Sequence, residues 1–413
     1  MSSETSRATR WRAAAWGVVL IGSVVSGFSR TVPATTEVRA LWVVRTTLSS
    51  PAAIETMVKA AQAGGFNTLL VQVRGRADAY YSGGIEPRPS LLAAQPAFDP
   101  LAETIARAHE AGLQVHAWVN VNLVAGVGDL PAARDHVVYR HPEWLMVPRA
   151  LADDLAAIDP KSPQYLGRLT RYVRSRSSEI EGLYLSPMTP AAVDYTVGVV
   201  GDVAQRYAVD GVHLDYVRYP TAEFDYGRDA LGSFREDVIA DLSAADREKY
   251  DRRLAGEPLI YTLAFPERWR TFRTTRLTAL VEQIRGVVKS ARPEAMLSAA
   301  VVPDADDAAA RHFQNWKAWA DRGLIDVVCP MAYTTDAAAF VAQVSAARVA
   351  AGRRPLWAGI GAYRLSPSQI VENVQAARRL GVSGVILFSY DSLTGPTRGP
   401  EYLSQVGRAA FMQ

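Results

Sequence analysis

The stretch Gly211-Val212-His213-Leu214-Asp215-Tyr216-Val217-Arg218-Tyr219-Pro220 decides how the fold is read. It follows a helical run and enters through Asp210-Gly211 as a tight turn. It then reads as a short apolar strand that ends in a group of His213, Asp215, Arg218 and Tyr219. Parallel α/β barrels carry their chemistry at the C-terminal ends of strands preceded by helices, so this strand end is a candidate site. A carboxylate flanked by aromatics, with a guanidinium nearby, suits carbohydrate chemistry. A plainer reading stays open, in which Asp215 caps the next helix or pairs with Arg218 to hold a loop.

Working outward, apolar runs at 39–45, 67–73, 114–119, 211–215, 296–302, 325–331, 356–361 and 384–389 read as strands covered on both faces. Amphipathic stretches such as 52–63, 99–111, 191–207, 272–290 and 367–380 read as the helices between them. Gly64-Gly65, Gly112, Gly323 and Gly381 fall where helix C-caps feed the next strand. Eight such repeats predict an α/β fold, a (β/α)8 TIM barrel, with a doubly wound open sheet as the alternative. Long insertions follow the third and fourth strands, at about 120–180 and 220–270, and are expected to fold over the barrel mouth. Residues 37–413 thus read as one catalytic domain.

Composition excludes several classes. Lys+Arg 45 and Asp+Glu 42 are interspersed, leaving a net charge of +3 and no basic cluster of the kind nucleic-acid binding needs. Cys329 is the only cysteine, so no internal disulfide can form, and its apolar neighbours suggest a buried strand thiol. The histidines show neither HxxxH nor HExxH spacing, no glycine-rich phosphate loop occurs, and no Gly-x-Ser-x-Gly elbow is present. No metal and no cofactor are therefore expected. Residues 1–36 run from Arg7, Arg10 and Arg12 into an uncharged segment at 13–28 and a Pro/Thr-rich 31–36. That order is expected of a signal for export, to the periplasm, the cell exterior or the outer face of the cytoplasmic membrane. The apolar part is short for a spanning helix, yet no clean cleavage site follows it, so an uncleaved anchor through 13–28 stays open.

The strand ends supply the candidate site. Gln72 and Arg74 end the second strand, His116, Trp118 and Asn120 the third, and His213, Asp215, Arg218 and Tyr219 the fourth. Tyr333 and Tyr390 follow the sixth and eighth. Alternation along each strand would turn Gln72, Arg74, His116, Trp118, Asn120 and Asp215 into one lumen. Amides, guanidiniums and flat aromatic faces are the groups that bind sugar hydroxyls and C–H surfaces. Cleaving a glycosidic bond needs two carboxyl groups, one protonated and one charged. Asp215 is the candidate nucleophile or base, held ionised by Arg218 or Arg74. Asp304, next in barrel order, is the candidate acid, with Asp78, Glu86 and Asp391 as further carboxyls near strand ends.

Several stretches together resemble the glycosyl hydrolase-like 10 family of bacterial exported barrels, over about residues 37 to 395. They are Arg39-Ala40-Leu41-Trp42-Val43, the 67–74 strand with Asp78-Ala79-Tyr80-Tyr81, and Phe98-Asp99-Pro100-Leu101 leading to His116-Ala117-Trp118-Val119-Asn120. His141-Pro142-Glu143-Trp144, the 210–220 stretch, Gly323-Leu324-Ile325-Asp326 with Pro330, and Gly359-Ile360-Gly361 continue the match. The resemblance implies a glycosidase-like TIM barrel acting on cell-wall glycan, peptidoglycan strands without stem peptides among the substrates. Two departures stand out. Many members carry a second aspartate where this chain has Tyr216, and most end the fifth strand in Ser-Pro-Phe-Gly where it has Val302-Pro303-Asp304. The acid assignment to Asp304 therefore gains nothing from the resemblance. Three readings follow: a glycoside hydrolase on an extracytoplasmic polysaccharide, a non-catalytic glycan-binding barrel using the same cleft, and a barrel enzyme on a non-sugar substrate.

Overall fold

The structure is a computed structural model that describes residues 37–396, 398–399 and 401–412; the expected export segment 1–36 lies outside the described residues. Among the described residues the ten strands are β1 Val38–Val43, β2 Thr68–Arg74, β3 Gln114–Asn120, β4 Leu123–Gly126, β5 Gly182–Tyr184, β6 Gly211–Asp215, β7 Met296–Val301, β8 Val327–Ala332, β9 Trp357–Ile360 and β10 Gly384–Phe388. Eight of them form a closed parallel ring, β1-β10-β9-β8-β7-β6-β3-β2, while β4 and β5 pair antiparallel outside it. The fold is the expected (β/α)8 barrel, with the eight apolar runs as its staves.

The helices form where the sequence supplies both a stripe and stops. Pro100–Glu110 starts with Asp99, whose side chain accepts from the Ala102 N–H at 3.1 Å, and has proline in its first turn. It buries Leu101, Thr104, Ile105 and Ala108, the spacing of one helical face. Gly112, at φ 75°, ends it in the left-handed region. Truncating Leu101 to alanine there would cost about 2–5 kcal/mol.

Inside the ring, alternate residues of each strand point inward. Ala40, Leu70, Val327, Cys329 and Ile386 pack there with Trp42, Trp118 and Trp357. The Trp42 indole N–H donates to His213 Nε2 at 3.0 Å, so the His213 proton sits on Nδ1 and donates to Ser298 Oγ at 2.9 Å. Burial, and secondarily the neighbouring His116, push the His213 pKa down to about 3. Both imidazoles are neutral core groups. The interior is thereby filled from below, and a cavity opens at the strands' C-terminal ends.

The two insertions meet above those ends. The first contributes β4, β5 and the helix Pro163–Ser175; the second contributes the helices Arg228–Ile239, Ala244–Leu254 and Ile260–Ala264. They are stitched together by Arg149 N–H to Glu223 O at 2.9 Å and Tyr226 N–H to Val147 O at 2.8 Å. The barrel helix beyond the second insertion begins at Pro266, earlier than expected, because Pro266 occupies a first-turn position that tolerates proline.

Candidate active site

A cavity of about 230 Å³ opens at the top of the barrel. Its floor and walls follow strand parity: Trp42 from β1 with Val44 just beyond it, Gln72 from β2, Trp118 and Asn120 from β3, and Asp215 from β6. Pairing Asn120 with Asp215 and Trp118 with His213 puts the two carbonyl-bearing tips level at the rim, with His213 one layer below. Tyr333 and Phe388 stack at 5.5 Å between centroids, and Trp42 meets both edge-on, at 6.1 and 5.9 Å. This aromatic wall offers flat faces opposite the polar wall of Gln72 and Asn120. Arg45 fixes the latter by donating to Gln72 Oε1 at 2.9 Å, and Asn120 donates to Gly75 O at 2.8 Å.

Asp215 is the only carboxyl among the described residues lining this cavity. It is 6% exposed. Its Oδ1 accepts from the Tyr216 N–H at 2.7 Å, and Arg218 Nη1 stands 3.7 Å away. The Trp118 indole N–H is turned toward the carboxyl but completes no hydrogen bond. Burial raises the Asp215 pKa and outweighs the Arg218 charge, the Tyr216 N–H and Trp118, which all act to lower it. The expectation that a neighbouring arginine holds Asp215 fully ionised is thus corrected: desolvation dominates. Tyr216 adopts φ 49°, a left-handed conformation that costs an aromatic residue about 1–3 kcal/mol. That turn lays its ring under the Arg218 guanidinium, 4.3 Å from the centroid.

Arg218 also reaches Glu181 Oε1 at 3.1 Å, a residue the sequence reading did not single out. Glu181 sits just before β5 in the first insertion, and its other oxygen accepts from Tyr184 OH at 2.7 Å. Burial acts to raise its pKa, but Arg218 and the Tyr184 hydroxyl prevail and hold it below the usual glutamate value. One guanidinium therefore links two carboxyls whose environments push them in opposite directions.

Of the residues expected at the site, Gln72, Trp118, Asn120, Asp215, Arg218 and Tyr333 line the cavity. The others do not. Arg74 is turned out by a register shift between Gln72 and Arg74, which pairs Arg74 with Val119 instead of an inward residue. It is fully buried against Glu86, with Nε to Oε2 at 2.8 Å and Nη2 to Oε1 at 2.7 Å. His116 lies deep in the barrel, 5.5 Å from the Trp357 ring, and His213 sits below the cavity. Tyr219 packs edge-on against Phe313 at 5.0 Å, and Tyr390 is buried in a short helix, Tyr390–Leu393, at the end of β10. Asp304 is exposed and caps the helix Ala305–His312, accepting from Asp307 N at 2.8 Å, so it is no acid for this cavity. Asp391 accepts from Val44 N at 2.8 Å and from the Thr47 hydroxyl, holding the β1 end. Arg45, Arg76, Tyr216, Met331 and Phe388 line the cavity without having been assigned to it.

The sequence profile of the glycosyl hydrolase-like 10 family matches residues 37–370. Glycosyl hydrolase YngK of Bacillus subtilis is 25% identical over 365 residues, which cover 80% of this chain and 61% of that protein. Glycosyl hydrolase DigH of Escherichia coli K12 is 27% identical over 380 residues, covering 80% and 74%. The chain thus spans about three fifths of the length of the Bacillus relative. Among solved structures, a cold-adapted beta-galactosidase from Rahnella sp. R3 superposes with a TM-score of 0.59 at 14% identity, over 90% of this chain and 55% of that one. Alpha-L-fucosidase isoenzyme 2 from Paenibacillus thiaminolyticus gives 0.57 at 16%, over 91% and 49%. Those likenesses establish the barrel alone. The profile match runs from the first barrel strand into the helix after the seventh, and the chain belongs to the glycosyl hydrolase-like 10 family.

Proposed function

We propose that this protein is a glycoside hydrolase acting on an extracytoplasmic polysaccharide, with peptide-free glycan strands of peptidoglycan as its substrate. The observation that carries the reading is the Asp215–Arg218–Glu181 group, in which one carboxyl has a raised pKa and the other a lowered one. Two carboxyls pushed apart in this way are suited to the acid and base roles of glycosidic cleavage. Asp215 donates its proton to the glycosidic oxygen as the C1–O bond breaks. Glu181, partly exposed, takes a proton from the water whose oxygen forms the new bond at C1. The guanidinium interposed between them favours the wider, roughly 6.5–9.5 Å carboxyl spacing of inverting enzymes over the roughly 5–5.5 Å of retaining ones. Trp42, Tyr333 and Phe388 supply the apolar faces for the sugar ring.

The order of residues 1–36 supports placing this activity outside the cytoplasm. Incubation of the protein with peptide-free glycan strands, intact peptidoglycan and β-glucans, with mass spectrometry of the products, tests the proposal. Fragments from the first substrate alone are expected; products from none of them refute it. A second reading, a non-catalytic glycan-binding barrel, is favoured by one observation: a single carboxyl lines the cavity. Saturable binding to strands without new reducing ends distinguishes it.

A further inference from the structure

The cavity at Asp215 is positively charged to a degree that a neutral sugar does not require. Three guanidiniums, those of Arg45, Arg76 and Arg218, line it against one carboxyl. Two of the three are compensated. Arg218 faces Asp215 and Glu181, and Arg45 Nε lies 3.5 Å from Asp78. Arg76 has no carboxylate within 4.0 Å among the described residues, and its one side-chain hydrogen bond goes to Gly75 O at 2.8 Å. Asp78 is already engaged, its Oδ1 accepting from Gly75 N at 3.1 Å and Arg76 N at 2.8 Å and its Oδ2 facing Arg45 Nε.

The position of Arg76 is also held firmly. The His136 side chain accepts from the Val138 N–H on Nδ1 at 3.3 Å, so its Nε2–H donates to the Arg76 carbonyl at 2.7 Å. Ala77 follows in the left-handed region at φ 52°. On the other side, the backbone of β4 comes so close that a Cβ at Gly126 would stand 3.4 Å from Arg76 Nε. Leaving a half-buried cation without a counter-charge is costly unless a ligand supplies one.

Arg76 lies at a junction. It lines the Asp215 cavity and also a second cavity of about 510 Å³ shared with Asp78, Arg88, Ser90 and His136. The first, at about 230 Å³, falls below the roughly 300–1,000 Å³ of ordinary ligand sites and has room for little beyond one ring, so a polymer must continue elsewhere.

We propose that Arg76, assisted by Arg45, is an oxyanion subsite that binds a carboxylate or phosphate carried by the glycan next to the ring held at Asp215, and that the chain continues past it into the second cavity. A guanidinium fork matches either oxyanion in a bidentate manner. This rests on the glycan reading of the same cavity and adds to it a charge requirement: the preferred substrate is acidic.

The test is calorimetric binding by the full chain, so that it stands apart from cleavage. The probes are peptide-free peptidoglycan strands, whose lactyl groups bear carboxylates, the same strands with those carboxylates reduced to alcohols, and the reduced strands after phosphorylation. Wild-type protein is expected to bind one or both oxyanion forms about 10–100-fold more tightly than the reduced form, the range of a charge-assisted hydrogen bond. Which form gains shows which oxyanion the subsite takes. R76Q should lose that preference, its affinities for the three probes converging, and R76K should keep part of it. A thermal melt matching wild type establishes that R76Q is folded; should it not be, the R76K comparison decides. Equal wild-type affinity for all three probes, or a preference that survives intact in R76Q or, if that variant is unfolded, in R76K, overturns the subsite. Strand cleavage without Arg76-dependent preference would remove the subsite and leave the hydrolase. Arg76-dependent binding without cleavage would do the reverse.

Discussion

Asp225→Asn should stabilise this protein at neutral pH. Asp225 is fully buried where the two insertions meet, its Oδ1 accepting from Val147 N at 3.2 Å and Gly227 N at 3.4 Å. Among the described residues its Oδ2 has no hydrogen-bond partner, the Ser186 hydroxyl approaching the carboxyl without completing one. Burial pushes its pKa up to about 6, against the lowering pull of Ser186, the two backbone N–H groups and Arg273. A folded-state pKa above the unfolded value of 3.8 means the folded protein binds the extra proton. Stability is therefore full below pH 3.8, declines as pH rises toward 6, and stays reduced above it. Two pKa units correspond to about 3 kcal/mol at pH 7. At about 2.1 cal/mol/K of unfolding entropy per residue, that is about 4 °C in Tm for a barrel of this length. An asparagine keeps the Oδ1 contacts and removes the charge. Differential scanning calorimetry from pH 4 to 8 should show D225N melting about 4 °C above wild type at pH 7 and level with it near pH 4. A D225N melt below wild type at pH 7, or an offset independent of pH, would refute the reasoning.

Other outcomes follow from the same geometry. Glu86→Gln leaves Arg74 buried without its counter-ion and should cost about 3–5 kcal/mol in chemical denaturation, with turnover per folded molecule unchanged; lost turnover without lost stability would return Arg74 to the site. Cleavage should follow a bell-shaped pH profile, falling on the alkaline side as Asp215 loses its proton and on the acid side as Glu181 gains one. In Glu181→Gln the acid limb should disappear along with about 100-fold or more of kcat; an unaltered profile would free Glu181 from any role. Proton NMR of the first product should show the anomer opposite to that of the cleaved bond, and the same anomer would contradict the spacing assigned to the two carboxyls.

The barrel was legible because its strands are buried on both faces, so each reads as an unbroken apolar run bounded by glycine-capped helices. Four residues of the expected site were legible for the same reason: period-2 alternation carries Gln72, Trp118, Asn120 and Asp215 inward correctly. The same rule misplaces Arg74, since one extra residue in β2 reverses the parity beyond it, and no local signal marks a bulge. Asp304 carried a readable alternative, because an aspartate followed three residues later by Asp307 at a helix start is a capping pattern. Glu181 was out of reach. It lies in an insertion far from any barrel strand in sequence, and only the fold brings it to Arg218.

The most direct measurement compares wild-type protein with Asp215→Asn on peptide-free glycan strands, reading new reducing ends over time with the melting temperatures of both matched. Wild type should release them, and the variant should lose at least about 100-fold in rate while still binding strands. Release by D215N at the wild-type rate would strip Asp215 of its role and take the two-carboxyl chemistry with it.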